Sequence, residues 1–207
     1  LSTSITLSGS SSIHIRILDD AGNIGTATTQ AYILDTTAPT ITVGSIGISA
    51  DTGTANDDFE TKTAAQTLTA TLSGAIAADD LVQISVNGGS SWTNDDHASG
   101  DGVGLSTAIT LQDDTTSAIH IRVIDDAGNA GTAATQAYTH DDTAPTTSYS
   151  SKALSADTGT SSSDFETKTA AQTFTATLSV AIESDDILQI SVDAGTSWST
   201  VTNDVTG

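Results

Sequence analysis

The sequence predicts an all-β protein built from tandem antiparallel β-sandwich domains of about a hundred residues each. Three observations carry that expectation. Blocks of sequence return at a constant separation of 106 residues, apolar residues alternate with polar ones at a period of two, and no stretch has the 3.6-residue periodicity of an amphipathic helix.

The repeats come first, because they set the organisation. Ile13-His14-Ile15-Arg16 returns as Ile119-His120-Ile121-Arg122, and Asp19-Asp20-Ala21-Gly22-Asn23 returns as Asp125-Asp126-Ala127-Gly128-Asn129. Thr37-Ala38-Pro39-Thr40 returns as Thr143-Ala144-Pro145-Thr146, and Asp58 to Thr67 recur unchanged as Asp164 to Thr173. A period of 106 residues is too long for a solenoid coil and suits one sandwich. Residues 1–36 therefore match the end of a repeat, 37–142 make one whole repeat, and 143–207 match the start of the next. Gly207 followed by Leu1 would parallel Gly104-Leu105, so the chain is expected to be a window on a longer array. Leu1 in place of a methionine points to a processed or excised piece from which no signal peptide can be read.

Within the whole repeat, alternation predicts strands over 40–49, 66–74, 81–86, about 90–94, 106–112, 117–124 and 131–139. Ile41 and Val43 open the series; Leu68, Ala70 and Leu72 alternate with Thr69 and Thr71; Val82, Ile84 and Val86 alternate with Gln83 and Ser85. Ile109 and Leu111 flank Thr110, and Ile119, Ile121 and Val123 alternate with His120 and Arg122. Each strand so written has one buried and one wet face, as antiparallel sheets do. Asn87-Gly88-Gly89 and Ala127-Gly128-Asn129 supply the positive-φ residues of tight turns.

Charge narrows the function. The chain carries 26 acids against 5 bases, a net charge of −21, which repels nucleic-acid phosphate and an anionic membrane surface. No run approaches the ~18 apolar residues of a spanning helix. Only 36% of residues are hydrophobic, enough for small cores of Ile, Leu, Val and Ala, and there is no cysteine to form a disulfide or a thiolate metal site. A cysteine-free chain outside the cell needs another means of reinforcement, and bound cations suit this charge. No catalytic role is expected. His14 and His120 share an outward face with Arg16 and Arg122 and read as solvated; His97 and His140 lie near Asp95 and Asp142 but have no nucleophile at recognisable spacing. Trp92 and Trp198 are expected to pack rather than to stack on sugars.

The acids then fall into place along the strands. If the chain runs alternately up and down, the loops 75–80 and 125–129 share the proximal end with the incoming linker. Asp79, Asp80, Asp125, Asp126 and Asn129 should crowd Asp35 there, with Asp19 and Asp20 as the earlier copy of the second turn. The loop 50–63 lies at the distal end and offers Asp51, Asp57 and Asp58, repeated in part as Asp157 and Asp164. The next linker brings Asp141 and Asp142 toward Asp185 and Asp186. Crowded carboxylates repel one another, and a hard divalent cation reverses that sign. Ca²⁺ accepts about 6–8 oxygens in flexible geometry, which suits irregular loops mixing Asp, Asn and carbonyls. Asp and Asn are also ordinary turn residues, and acidic surfaces keep proteins soluble, so the bland reading stands beside the metal one. Asp113 and Asp114 lie at the same distal end and are weaker candidates, because the corresponding stretch Ser8–Ser12 contains no acid.

Asp-Thr-Thr-Ala-Pro-Thr at 35–40, Ala-Asp-Thr-Gly at 50–53, Asp-Phe-Glu-Thr at 58–61 and Asp-Asp-Ala-Gly-Asn at 125–129, taken in order, resemble bacterial Ig-like repeats. Such repeats form the extender regions of giant RTX-type and biofilm-associated adhesins, including a long ice-binding adhesin, and the resemblance covers essentially the whole chain. It implies Ig-like Greek-key sandwiches joined end to end by short Asp/Thr/Pro linkers. It also implies a non-catalytic extracellular stalk at a bacterial surface, rigidified by Ca²⁺ and partnered mainly by its own neighbouring repeats. The family's linker and turn ligands would map to Asp35, Asp125, Asp126, Asp141 and Asp142. Two other readings stay open: a self-associating surface filament or S-layer component, and a glycan-binding module of a secreted protein.

Overall fold

The structure, a computed structural model, describes residues 1–53, 55–95, 103–182 and 186–201, and all of its regular elements are strands. It divides into two compact units, Leu1–Thr143 and Ala144–Gly207. The first unit carries β1 (Ser11–Ile15), β2 (Thr28–Tyr32), β3 (Val43–Ile48), β4 (Glu60–Thr61), β5 (Ala65–Leu72), β6 (Leu81–Ser85), β7 (Thr93–Asp95), β8 (Gly104–Thr110), β9 (Thr115–Ile124) and β10 (Ala134–His140). The second carries β11 (Tyr149–Leu154), β12 (Phe174–Leu178), β13 (Gln189–Ile190) and β14 (Ser199–Thr200).

In the whole repeat two sheets, β3-β5-β8 and β4-β10-β9-β6-β7, face each other across one core. Alternation is what builds it: Leu68, Ala70 and Leu72 point inward from β5, Val82 and Ile84 from β6, and Ile119, Ile121 and Val123 from β9. Ile76, Leu105, Leu111 and Tyr138 complete the cluster. Tyr138 is buried, and its hydroxyl donates to the Val86 carbonyl at 2.7 Å while accepting from the Gln112 amide at 3.0 Å. A single side chain thus ties β10 to the loops following β6 and β8, and its polar tip is satisfied inside the core.

The strands lie where alternation puts them, with shifts at their ends that have local causes. The stretch expected at about 90–94 becomes strand only at Thr93. Before it, Asn87 accepts from Ser85 and from the Ser91 amide through Oδ1, which holds residues 85–91 as a closed turn. The strand expected over 40–49 narrows to Val43–Ile48 and is bulged, with the register shifting between Gly44 and Gly47 around Ser45 at φ 49°.

One element departs from the expected architecture. The segment 50–63, read from sequence as a loop, contains β4, which pairs with β10 in the second sheet, and pairs parallel where the other strand pairs among the described residues are antiparallel. Phe59 makes the crossing at φ 64°, a backbone conformation that bulky residues rarely adopt. A polar latch holds it there. Asp51 Oδ2 accepts the Phe59 amide at 3.0 Å, Thr61 Oγ1 donates to the Ala50 carbonyl at 2.6 Å, and the Phe59 carbonyl accepts from Thr139 of β10 at 3.0 Å. The second unit repeats the latch with Asp157, Phe165 at φ 64° and Thr167.

The incoming linker is seated on the sandwich as well. A Cβ on Gly131 would meet the Pro39 carbonyl oxygen at 2.8 Å, so the linker backbone passes where only glycine leaves room. Elsewhere identical sequence meets a different environment. Ile15 and Ile17 of the segment 1–36 are 54% and 80% exposed, whereas Ile121 and Val123, their counterparts in the whole repeat, are 0% exposed. β1 pairs only with β2, and no second sheet faces them among the described residues.

Candidate functional site

The proximal end gathers acids from three separate stretches. A cleft of about 420 Å³ is lined by Asp35 of the linker, Asp79 and Asp80 before β6, and Asp125 and Asp126 after β9, with Ile33, Ala77, Ala78 and Ala127 between them. The β9–β10 turn is built by Asp125 itself. Its Oδ1 accepts the Asn129 amide at 2.7 Å and its Oδ2 accepts Asn129 Nδ2 at 2.8 Å. Those bonds, the Asn129 side chain first, hold the Asp125 carboxyl below its ordinary value. Asn129 Nδ2 also donates to the Asp35 carbonyl at 3.2 Å, pinning linker to turn. Asp35 in turn caps the linker, accepting the Thr37 amide at 2.9 Å, and Asp141 does the same for Thr143 at 2.8 Å.

Five of the sequence-predicted residues, Asp35, Asp79, Asp80, Asp125 and Asp126, therefore line one cleft. Asn129 lies behind them as a cross-link, its amide protons engaged. The side chains of Asp79, Asp80 and Asp126 accept no hydrogen bond among the described residues, and no base lines the cleft. Chemically these three carboxylates are unengaged oxygen donors, beside an Asp125 whose two oxygens are already bonded to Asn129, and oxygen donors are what a hard cation takes. Asp19 repeats the turn in the earlier segment, bonded to Asn23 at 2.7 Å through both backbone and side chain, with Asp20 exposed beside it.

The acids of the 50–63 loop are turned to their own backbone. Asp58 Oδ1 accepts the Glu60 amide at 3.0 Å, Asp164 Oδ1 accepts that of Glu166 at 3.1 Å, and Asp51 and Asp157 hold Phe59 and Phe165. Asp57 is exposed. The second oxygen of Asp51 and of Asp157 is buried with no partner. Asp185 and His97 lie outside the described residues. Asp186 is exposed in the second unit.

At the distal end Asp142 meets two acids that the sequence marked as weaker candidates and a histidine it gave no role. Asp113 and Asp114 of the β8–β9 loop and His140, the last residue of β10, surround it. His140 is 1% exposed. Asp114, at φ 40°, accepts the Asp142 amide at 3.1 Å and the Thr143 hydroxyl at 2.9 Å, and these bonds keep its carboxyl below the ordinary range. Repulsion from Asp114, and then burial and Asp113, raise that of Asp142. The signal in the sequence is the difference between the repeats: Leu34 and Thr36 stand where His140 and Asp142 do.

The outer face of β9 corrects a further expectation. His120 and Arg122 are half-buried rather than solvated. The Arg122 guanidinium carbon lies 3.9 Å from the Trp92 ring centroid, its Nε donates to Gln83 at 3.0 Å, and His120 meets the indole edge-on at 6.2 Å. Trp92 packs as expected, with one ring face covered by Arg122. Trp198 is 60% exposed.

The turn before Trp198 carries a testable titration. Asp193 accepts from Ser197 through side chain and backbone and from Ser191, which lowers its carboxyl to about 2. A depressed folded value means the ionised carboxylate stabilises the turn above the ordinary value of 3.8, and that contribution is lost as pH falls through about 2. Carboxyl-carbon NMR should place the Asp193 midpoint near 2; a midpoint near 3.8 would remove the ordered turn. No protein-family model matches the sequence, and no curated protein matches it.

Proposed function

We propose that the chain is a non-catalytic extender segment of a long extracellular adhesin on a bacterial surface. In this reading Ca²⁺ in the proximal cleft pins each linker to the sandwich it enters, and the chain's partners are its own neighbouring repeats. The observation that carries it is the cleft: Asp35, Asp79, Asp80, Asp125 and Asp126 arrive from three stretches of chain and line one surface with no base among them. Without a cation their mutual repulsion loosens the linker that Asn129 and Gly131 seat, and with one the same charge becomes a clamp. The sandwiches read as Ig-like, since the two sheets divide the strands as that architecture does.

The test is a melt and a scattering curve in 10 mM Ca²⁺ and in chelator. With affinities of about 10⁻⁴–10⁻³ M, usual for extracellular modules, saturating calcium stabilises the fold by about 1.4–2.7 kcal/mol. The Asp79→Asn/Asp80→Asn variant should lose most of that gain, while its melt in chelator holds or rises as repulsion is relieved. A melting temperature and maximum dimension that ignore calcium would refute the reading.

A further inference from the structure

His140 stands out among the buried polar groups. Its side chain is wholly covered, and Nε2 meets no hydrogen-bond partner. The other ring nitrogen faces the distal acids. The Asp114 amide points at Nδ1 from 3.3 Å, so Nδ1 carries the lone pair and the ring proton sits on Nε2. That lone pair lies 3.8 Å from Asp113 Oδ1, and one donor atom each from Asp113, His140 and Asp142 lies within 4.8 Å of the other two. Two carboxylates converge on this nitrogen, whose one lone pair accepts the Asp114 amide and would pass to an ion on binding, and no Lys or Arg pairs with them among the described residues.

Asp114 prepares this arrangement without joining it. Both its oxygens are spent on Asp142 and Thr143, which fixes the backbone there and brings the Asp142 side chain beside Asp113. The earlier copy of the repeat supplies an independent observation. Leu34 stands where His140 does and Thr36 where Asp142 does, and Ser8–Ser12, two residues shorter than the stretch between Leu111 and Ile119, holds no acid. Changes in separate parts of the sequence thus meet at one point in space. The neighbouring caps, Asp35 and Asp141, are the same in both copies. A leucine at this position in the other copy indicates that the fold does not call for an imidazole, and burying one with an unpaired N–H costs about 1–3 kcal/mol.

We propose that Asp113, His140 and Asp142 bind a transition-metal ion of the zinc class. The imidazole decides the class, because calcium and magnesium take oxygen donors while nitrogen beside carboxylate suits Zn²⁺ and its neighbours. Zn–N and Zn–O bonds of about 2.0–2.2 Å place ligand atoms closer together than the three are here. The exposed Asp113 and Asp142 close that gap by rotation, while burial holds His140 still. The bound ion joins the β8–β9 loop to the residues that leave β10, clamping the outgoing linker at its root. The site does not rest on calcium in the proximal cleft.

Chelator-treated chain titrated with ZnCl₂ by calorimetry should take up one ion, and Co²⁺ in its place should give visible d–d bands. His140→Leu, which installs the residue of the other copy, should weaken Zn²⁺ binding by more than about 100-fold, since even partners outside the coordination shell are worth about 10–100-fold. Asp113→Asn, at an exposed position that leaves the core intact, should weaken it at least about tenfold. The Asp79→Asn/Asp80→Asn variant should bind Zn²⁺ as the parent does, which separates this site from the calcium reading. Absence of Zn²⁺ uptake by the parent, or uptake by His140→Leu with unchanged affinity, overturns the proposal.

Discussion

Gln66→Ala should destabilise the whole repeat by on the order of 3 kcal/mol and lower its melting temperature by roughly 10–20 °C. Gln66 is 4% exposed, and every polar atom of its side chain is engaged. Its Oε1 accepts the Ala50 amide at 2.8 Å and the Ser49 hydroxyl at 3.0 Å; its Nε2 donates to the carbonyls of Thr63 and Ala50 at 2.7 and 3.0 Å, and to Thr61 at 3.3 Å. Alanine removes these bonds at once and leaves backbone groups of a part-buried loop without partners. The loss falls on the latch that carries β4 across to β10, so amide exchange should accelerate at Thr139 and Asp141, whose amides bond to Phe59 and Thr61. The proximal cleft is built by other residues, and the calcium-induced shift should survive. A melting change below about 3 °C would show that the latch is not held by this side chain.

Ile121→Ala should cost about 2–5 kcal/mol, read as a fall in the denaturant midpoint at constant slope. Ile121 is 0% exposed between the sheets, and truncation leaves a cavity that rigid strands cannot close. Ile15→Ala is the matched control. It sits at the same place in the same four-residue motif but is 54% exposed, so its effect should stay within about 0.5 kcal/mol. Equal losses at the two positions would mean that the segment 1–36 buries its strands in solution as the whole repeat does.

Much of this was legible in the residues because period-two alternation is a local signal. Leu68, Ala70 and Leu72, or Ile119, Ile121 and Val123, declare their inward face without reference to anything distant. The turn Asp125–Asn129 declares itself too, through side chains that bond within five residues. The proximal cleft followed from counting strand reversals. β4 escaped because it is two residues long and is held by a polar latch and a strained Phe59, none of which has a period. His140 escaped for a related reason. Asp113 and His140 are 27 residues apart, and only the pairing of β9 with β10, which sets His140 opposite Thr115, brings them together. The lack of acid in Ser8–Ser12 counts against a site when the loop is read alone; beside Leu34 and His140 it marks where the two copies diverge.

By itself the sequence determined the all-β class, the 106-residue unit, the strands and the surplus of carboxylates at loop ends, since each follows from local pattern or from counting. Tertiary structure alone decided which carboxylates face a shared cleft and which merely cap their own turns, that Arg122 lies over Trp92, and where a buried histidine meets two acids. Burial and coordination depend on what arrives from elsewhere in the chain, which no local pattern records.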